Sequence, residues 1–140
     1  MKKIFFILIM FGFLNAGVFT NELIKCMVKN TNNKELKLLK TWIYFAFSQD
    51  EDLKKYSKIS KKEEERVNKL MANYVTDLLT NRCKKEYNLA IKNDGTRAIS
   101  DSFEYLGRIA GVQIMSNPNV VIFIQKFSNY IDLNKFKDIQ

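Results

Sequence analysis

The chain has 140 residues, with 23 Lys+Arg against 15 Asp+Glu, no histidine and a formal net charge of +8. That length builds one ordinary domain around one core, and an apolar content of 46% with a single Pro and five Gly excludes a disordered or collagen-like chain. The missing histidine excludes Ser-His-Asp and Cys-His nucleophilic catalysis and every His-bearing zinc site.

The first element is a leader. Lys2 and Lys3 precede the apolar run Ile4 to Leu14, and Asn15-Ala16-Gly17 follows it. Two positive charges, a short apolar stretch and small residues after it are the layout of a secretory signal peptide. The run is shorter than the roughly 20 residues that a spanning helix needs, so stable membrane insertion is not expected once the leader is removed. Taking residues 1–16 as the signal peptide leaves one helical domain, 17–140, with net charge +6. The expected location is periplasmic or secreted. Leu23-Ile24-Lys25-Cys26 is not a lipobox, because Lys25 stands where a small residue is required.

The pair Cys26 and Cys83 therefore reads as a disulfide. Closing so long a loop contributes roughly 3 to 5 kcal/mol on the chain-entropy account. The alternative is two buried free thiols, since spacing alone does not bring two sulfurs together.

Thr20 is expected to cap a first helix carrying Leu23, Ile24, Met27 and Val28. Asn33 is expected to cap a second, with Leu36, Leu39, Ile43 and Ala46 inward at the centre of the core and Lys34, Lys37 and Lys40 outward. A charged connection follows, with one turn around Leu53 and Tyr56. Ser60-Lys61-Lys62-Glu63 is a capping box. It opens a third helix along Val67, Leu70/Met71, Tyr74/Val75 and Leu78/Leu79. Arg82 to Asn93 is either its kinked continuation or a separate helix, stopped at Asn93-Asp94-Gly95. From Thr96 to Met115 one face holds Ile99, Phe103, Leu106, Ala110 and Ile114, and Gly107 with Gly111 suggests close packing against a neighbour. Asn117-Pro118 starts a last main helix with Val120, Ile124, Phe127 and Ile131 on one stripe, and the tail adds a turn around Leu133 and Phe136. The class is all-α, a bundle of about five or six helices with one disulfide.

No catalytic constellation accompanies this pattern, and no metal or organic cofactor is expected. Asp50 and Asp52 begin an acidic loop, but Lys55 and Lys61 occupy the glycine and glutamate positions of a calcium loop. Ser100 and Ser102 lack a nearby base, and no phosphate-binding Gly-rich loop occurs. The lysines of the first two helices could meet nucleic acid or anionic lipid. No nucleic-acid motif goes with them, and Asp50 to Arg66 balances six acids with six bases, so a solvated face is the better reading and no nucleic acid is expected. Protein binding asks least of the sequence. Trp42 and Tyr44 with Lys34, Lys37 and Lys40 are the partner-binding candidates, although Trp42 also suits a core position.

The stretch from Leu23 to Tyr130 resembles small exported all-helical bacterial proteins without an assigned activity. It does so at Cys26, Trp42-Ile43, Leu78-Leu79-Thr80 with Cys83, Leu106-Gly107 and Met115-Ser116-Asn117-Pro118. That resemblance implies a periplasmic helical domain with a bridge and no catalytic residue. The chain is also similar to the periplasmic immunity proteins that block cell-wall amidases delivered by type VI secretion. Those are small, helical and exported, with a cysteine near the mature start and an aromatic-rich helix, as Trp42-Ile43-Tyr44-Phe45 is here. The expectation is a monomeric or dimeric exported module that binds another protein, with immunity against a cell-wall-degrading toxin such as an amidase as the alternative.

Overall fold

The computed structural model of the protein describes residues 16–136. The expected leader, residues 1–16, falls outside them but for Ala16. Six α-helices follow in order: α1 (Val18–Lys29), α2 (Asn33–Phe47), α3 (Lys61–Asp77), α4 (Lys84–Asp94), α5 (Arg97–Met115) and α6 (Pro118–Lys126). A π-helical turn, Leu78–Arg82, joins α3 to α4, and short 3-10 turns occupy Lys54–Tyr56, Phe127–Tyr130 and Leu133–Phe136. Among the described residues there is no strand, and no helix is long and apolar enough to cross a membrane. The all-α expectation holds.

The helix starts follow local chemistry. Ser60 and Glu63 form the expected capping box at α3, and the Asn117 side chain accepts from the Asn119 amide with Pro118 in the first turn of α6. At α2 the cap lies one residue earlier than expected. Asn32, not Asn33, accepts from the amides of Lys34 and Glu35, while Glu35 reaches back to the Asn32 amide at 2.8 Å. The sequence offers adjacent asparagines, and the one three residues before a glutamate completes the reciprocal pair.

Helix α1 starts differently from expectation. Gly17 is its cap residue and Thr20 is buried within the first turn. Asp94, at the end of α4, takes the capping role from 74 residues away. Its Oδ2 accepts from the Thr20 amide at 2.6 Å and from the Thr20 hydroxyl at 2.7 Å. A carboxylate there satisfies free amides and complements the positive helix end. A Cβ added at Gly17 would overlap the Asp94 carboxyl, so the contact also dictates glycine there. Gly95, directly after Asp94, has φ +83°, the left-handed turn that ends α4 as expected.

The core is built on α1. That helix packs against both α4 and α5, burying Thr20, Leu23 and Met27 completely or nearly so. On α5 the buried stripe is Ala98, Ser102, Leu106 and Ala110, and α4 adds Ala90. Small side chains let these helices approach closely, and Ser102, a serine deep in the core, donates its proton to the Ala98 carbonyl at 2.7 Å. Two expectations are corrected here. Of the α2 stripe only Leu39 is buried, so α2 lies beside the core, against α3 and α5, rather than at its centre. Gly107 and Gly111 have no atom within 4 Å of an added Cβ, so they do not mark a close helix contact. The α5 face is turned toward its alanines and serine, leaving Ile99, Phe103 and Ile114 half-buried at its border.

The expected inward stripe of α6 is also corrected. Val120 and Ile131 are half-buried, but Ile124 and Phe127 are exposed, and α6 touches only the end of α5 and its own 3-10 extension.

Residues 78–94 resolve the choice between a kink and a new helix. The Cys83 amide donates to the Leu78 carbonyl five residues back, at 2.8 Å, and Cys83 (φ −120°) leaves helical geometry before α4 begins. The inserted turn brings Cys83 against α1, where it is bonded to Cys26 with the Cα atoms 5.9 Å apart. The disulfide expectation holds.

Two stability measurements follow. Alanine at both Cys26 and Cys83 is expected to lower the unfolding free energy by about 2–4 kcal/mol in urea titration. Asp94→Ala should cost about 1–2 kcal/mol, the range of a lost helix cap, with loss of amide protection concentrated in the first turn of α1.

Candidate functional site

All five partner-binding candidates lie on α2, and helix geometry divides them. At about 100° per residue, Lys37, Lys40 and Tyr44 (steps of three and four) share one side, whereas Trp42 points to the flank that meets α3. Lys34 and Lys37 are exposed, Lys40 is half-buried, and Tyr44 is exposed beside Phe45, with the rings edge to face at 6.3 Å. The structure therefore does not gather tryptophan and lysines into one patch.

Trp42 instead forms the wall of a cleft between α2 and α3. Its indole N–H donates to Asn68 Oδ1 at 2.9 Å, which sets the ring plane while leaving 36% of the residue accessible. The cleft, about 240 Å³, is completed by Phe45, Ala46 and Gln49 from the α2 side and by Glu64 from α3. Gln49 Nε2 donates to Glu64 Oε1 at 3.0 Å across the opening. Glu64 makes no ion pair among the described residues, so the cleft joins an aromatic wall to a carboxylate rim. Such a pairing suits a cationic side chain with an apolar stem, because the ring quadrupole and the carboxylate attract the charge while the stem covers Phe45 and Ala46. Reading α2 alone singled out Trp42 but not Asn68, Gln49 or Glu64. Asn68 sits in the middle of α3, Glu64 near its start and Gln49 just past the end of α2, and only the pairing of α2 with α3 makes these polar residues neighbours of the indole.

A second polar cluster surrounds the disulfide. The Arg82 guanidinium forms a two-pronged contact with Glu35, at 3.1 and 2.9 Å, and also donates to the Asn30 carbonyl. Its Nε lies 2.8 Å from Asp77 Oδ2, close enough for an ion pair though not aligned as a hydrogen bond. The Tyr74 ring lies 5.7 Å from the guanidinium carbon. Thr31 donates its hydroxyl proton to the Met27 carbonyl at 2.7 Å, so it accepts from the Tyr74 hydroxyl, also at 2.7 Å. Asn30 Nδ2 donates to the Cys26 carbonyl at 2.9 Å. Every member holds one chain segment to another, tying the end of α1, the start of α2, the end of α3 and the π-helical turn. The hydrogen bond to Glu35 pushes the Arg82 pKa further above its ordinary value, so this cation stays charged. Arg82 was not a sequence candidate, since a single arginine at a helix break carries no signal of its partners.

The acidic connection forms a local turn, in which the Asp52 amide donates to Asp50 Oδ1 at 2.9 Å. No group of three or more His, Cys, Asp or Glu residues with metal-site geometry occurs among the described residues. With the geometry in view, the chain matches no family model, no curated protein and no solved structure.

The Tyr74 phenol supplies a pH test. Burial, the largest influence, pushes its pKa above the ordinary 10.0. The unfolded tyrosine therefore loses its proton first as the pH rises, and the unfolded state binds fewer protons than the native one above about pH 10. The stability due to Tyr74 is fully present below pH 10 and falls as the pH climbs through the folded value. Tyr74→Phe should fall less steeply than wild type between pH 9 and roughly 11 in urea titrations, while being less stable at pH 7 by about 1 kcal/mol for the lost hydrogen bond to Thr31.

Proposed function

We propose that this chain is an exported, non-catalytic protein-binding module that engages its partner at the Trp42 cleft. The observation that carries the reading is a tryptophan held in place by Asn68, partly accessible, beside a carboxylate free of any ion pair among the described residues. Tryptophan is enriched among residues that dominate binding energy, and a ring oriented before binding loses little freedom on contact. The partner element is a lysine or arginine side chain whose stem covers the apolar floor and whose charge meets Glu64. On a domain that keeps a net charge of +6 once residues 1–16 are removed, the Glu64 carboxylate favours a basic segment over other parts of a partner. The leader-like start supports export, and the lysine face of α2, apart from the cleft, serves solubility.

The test is affinity capture from periplasmic extract with wild type, Trp42→Ala and Glu64→Lys, each checked for unchanged helicity and melting behaviour. A specific partner should be retained by wild type and bound at least about tenfold more weakly by both variants, as removal of a central anchor and reversal of the rim charge require. Equal retention by all three proteins would overturn the reading.

A further inference from the structure

The C-terminal segment has a surface that the rest of the described chain leaves uncovered. In α6, Val120-Val121-Ile122-Phe123-Ile124 places apolar side chains at five successive positions, so they surround the axis rather than form one stripe. A helix apolar on all sides belongs in an interior. Here no residue of α6 or of the turns Phe127–Tyr130 and Leu133–Phe136 is buried. Phe123 is 76% exposed, Phe127 69%, Tyr130 88% and Leu133 72%, with Val112 and Met115 also exposed at the adjoining end of α5. With about 200 Å² for each large aromatic side chain, the rings of this segment alone expose roughly 600 Å², and the aliphatic residues raise the total toward ~1,000 Å². That exceeds the few hundred Å² usual for a soluble monomer's largest patch and matches the ~800 Å² that each subunit contributes to a standard interface.

Charge decides what covers it. From Val112 to Phe136 the ionised side chains are Lys126, Asp132 and Lys135, a net of +1 in a chain whose total is +8. An anionic surface would find few cations to hold here, and a charged partner would gain little steering. With a net of only +1 on this segment of each copy, little repulsion opposes its meeting a second copy. A two-fold axis sets an identical patch against itself, so an apolar surface without charge complementarity is self-complementary. We infer that the protein is a homodimer whose two copies bury the α6 faces, with Phe123 and Phe127, one turn apart on the same side, at the centre. The proposal is independent of the Trp42 cleft, which α6 does not line.

The test is sedimentation equilibrium on the protein purified from cells expressing the full 140-residue chain, from about 1 to 100 µM, a range that spans micromolar dissociation constants. Wild type should sediment at twice the chain mass in the upper part of that range. Phe123→Asp with Phe127→Asp, and separately Val112→Glu, should raise the dissociation constant at least about a hundredfold for the double variant and about tenfold for the single one. Helical circular dichroism should stay unchanged, since all three positions are exposed in the monomer. A wild-type monomer at 100 µM overturns the proposal, and co-sedimentation of that monomer with phosphatidylcholine vesicles would then assign the face to a membrane surface. A dimer that persists in both variants overturns it as well, because the copies would meet elsewhere.

Discussion

The join between the end of α1 and the π-helical turn is the constraint on which the arrangement depends. Cys26 and Cys83 fix two backbones at a Cα separation of 5.9 Å, and the neighbouring residue Arg82 reaches Asn30, Glu35 and Asp77. The two devices act on the same segments by different physics. The covalent link restricts the unfolded chain, whereas the guanidinium fork sets direction, since its planar donors match the Glu35 carboxylate in one orientation. The side chains of Arg82 and Glu35 are only 24% and 20% accessible, so solvent screens this pair less than an ordinary surface pair. With α1 held there and at Asp94, its two ends are tied to the two ends of α4. That double attachment explains why a 12-residue helix forms the centre of the fold.

Much of this architecture was legible in the sequence, and the legible parts share a short range. The Ser60–Glu63 box, the Asn117-Pro118 start and the Gly95 stop involve residues within four positions of one another, so the sequence states them directly. The disulfide expectation rested on a leader-like start and a pair of cysteines, which is an argument about compartment rather than geometry. Errors arose where the decisive contact is distant. Thr20 looked like a cap because its true role depends on Asp94, and α2 looked central because its apolar residues are larger than those of α1. The α5 face was misplaced for a related reason. Large residues such as Ile99 and Phe103 dominate a hydrophobic pattern, yet the close approach of α1 selects Ala98, Ser102 and Ala110.

The Trp42 cleft was legible only as its indole. Trp42 could be named from α2, but Lys34, Lys37, Lys40 and Tyr44 shared only the helix with it, not its side. The carboxylate and amides around the indole belong to the α2–α3 pairing, and a single-helix pattern contains no information about which polar residues of another helix will face it. The α6 segment shows the converse. Its apolar content was plain, and a pattern of that kind demands cover without saying whether the same chain or another supplies it.

Because the bridge joins residues 26 and 83, the chain between them forms a closed ring that includes α2, α3 and every side chain of the Trp42 cleft. Tension applied to the two termini would travel through Cys26, across the sulfurs and out through Cys83. With an extended reach of about 3.5 Å per residue, nearly 200 Å of contour is thereby shielded from pulling. The cleft sits outside the mechanical load path of its own polypeptide, and traction on either end would unravel the helical segments before residue 26 and after residue 83 while leaving the covalent circuit that contains the cleft closed.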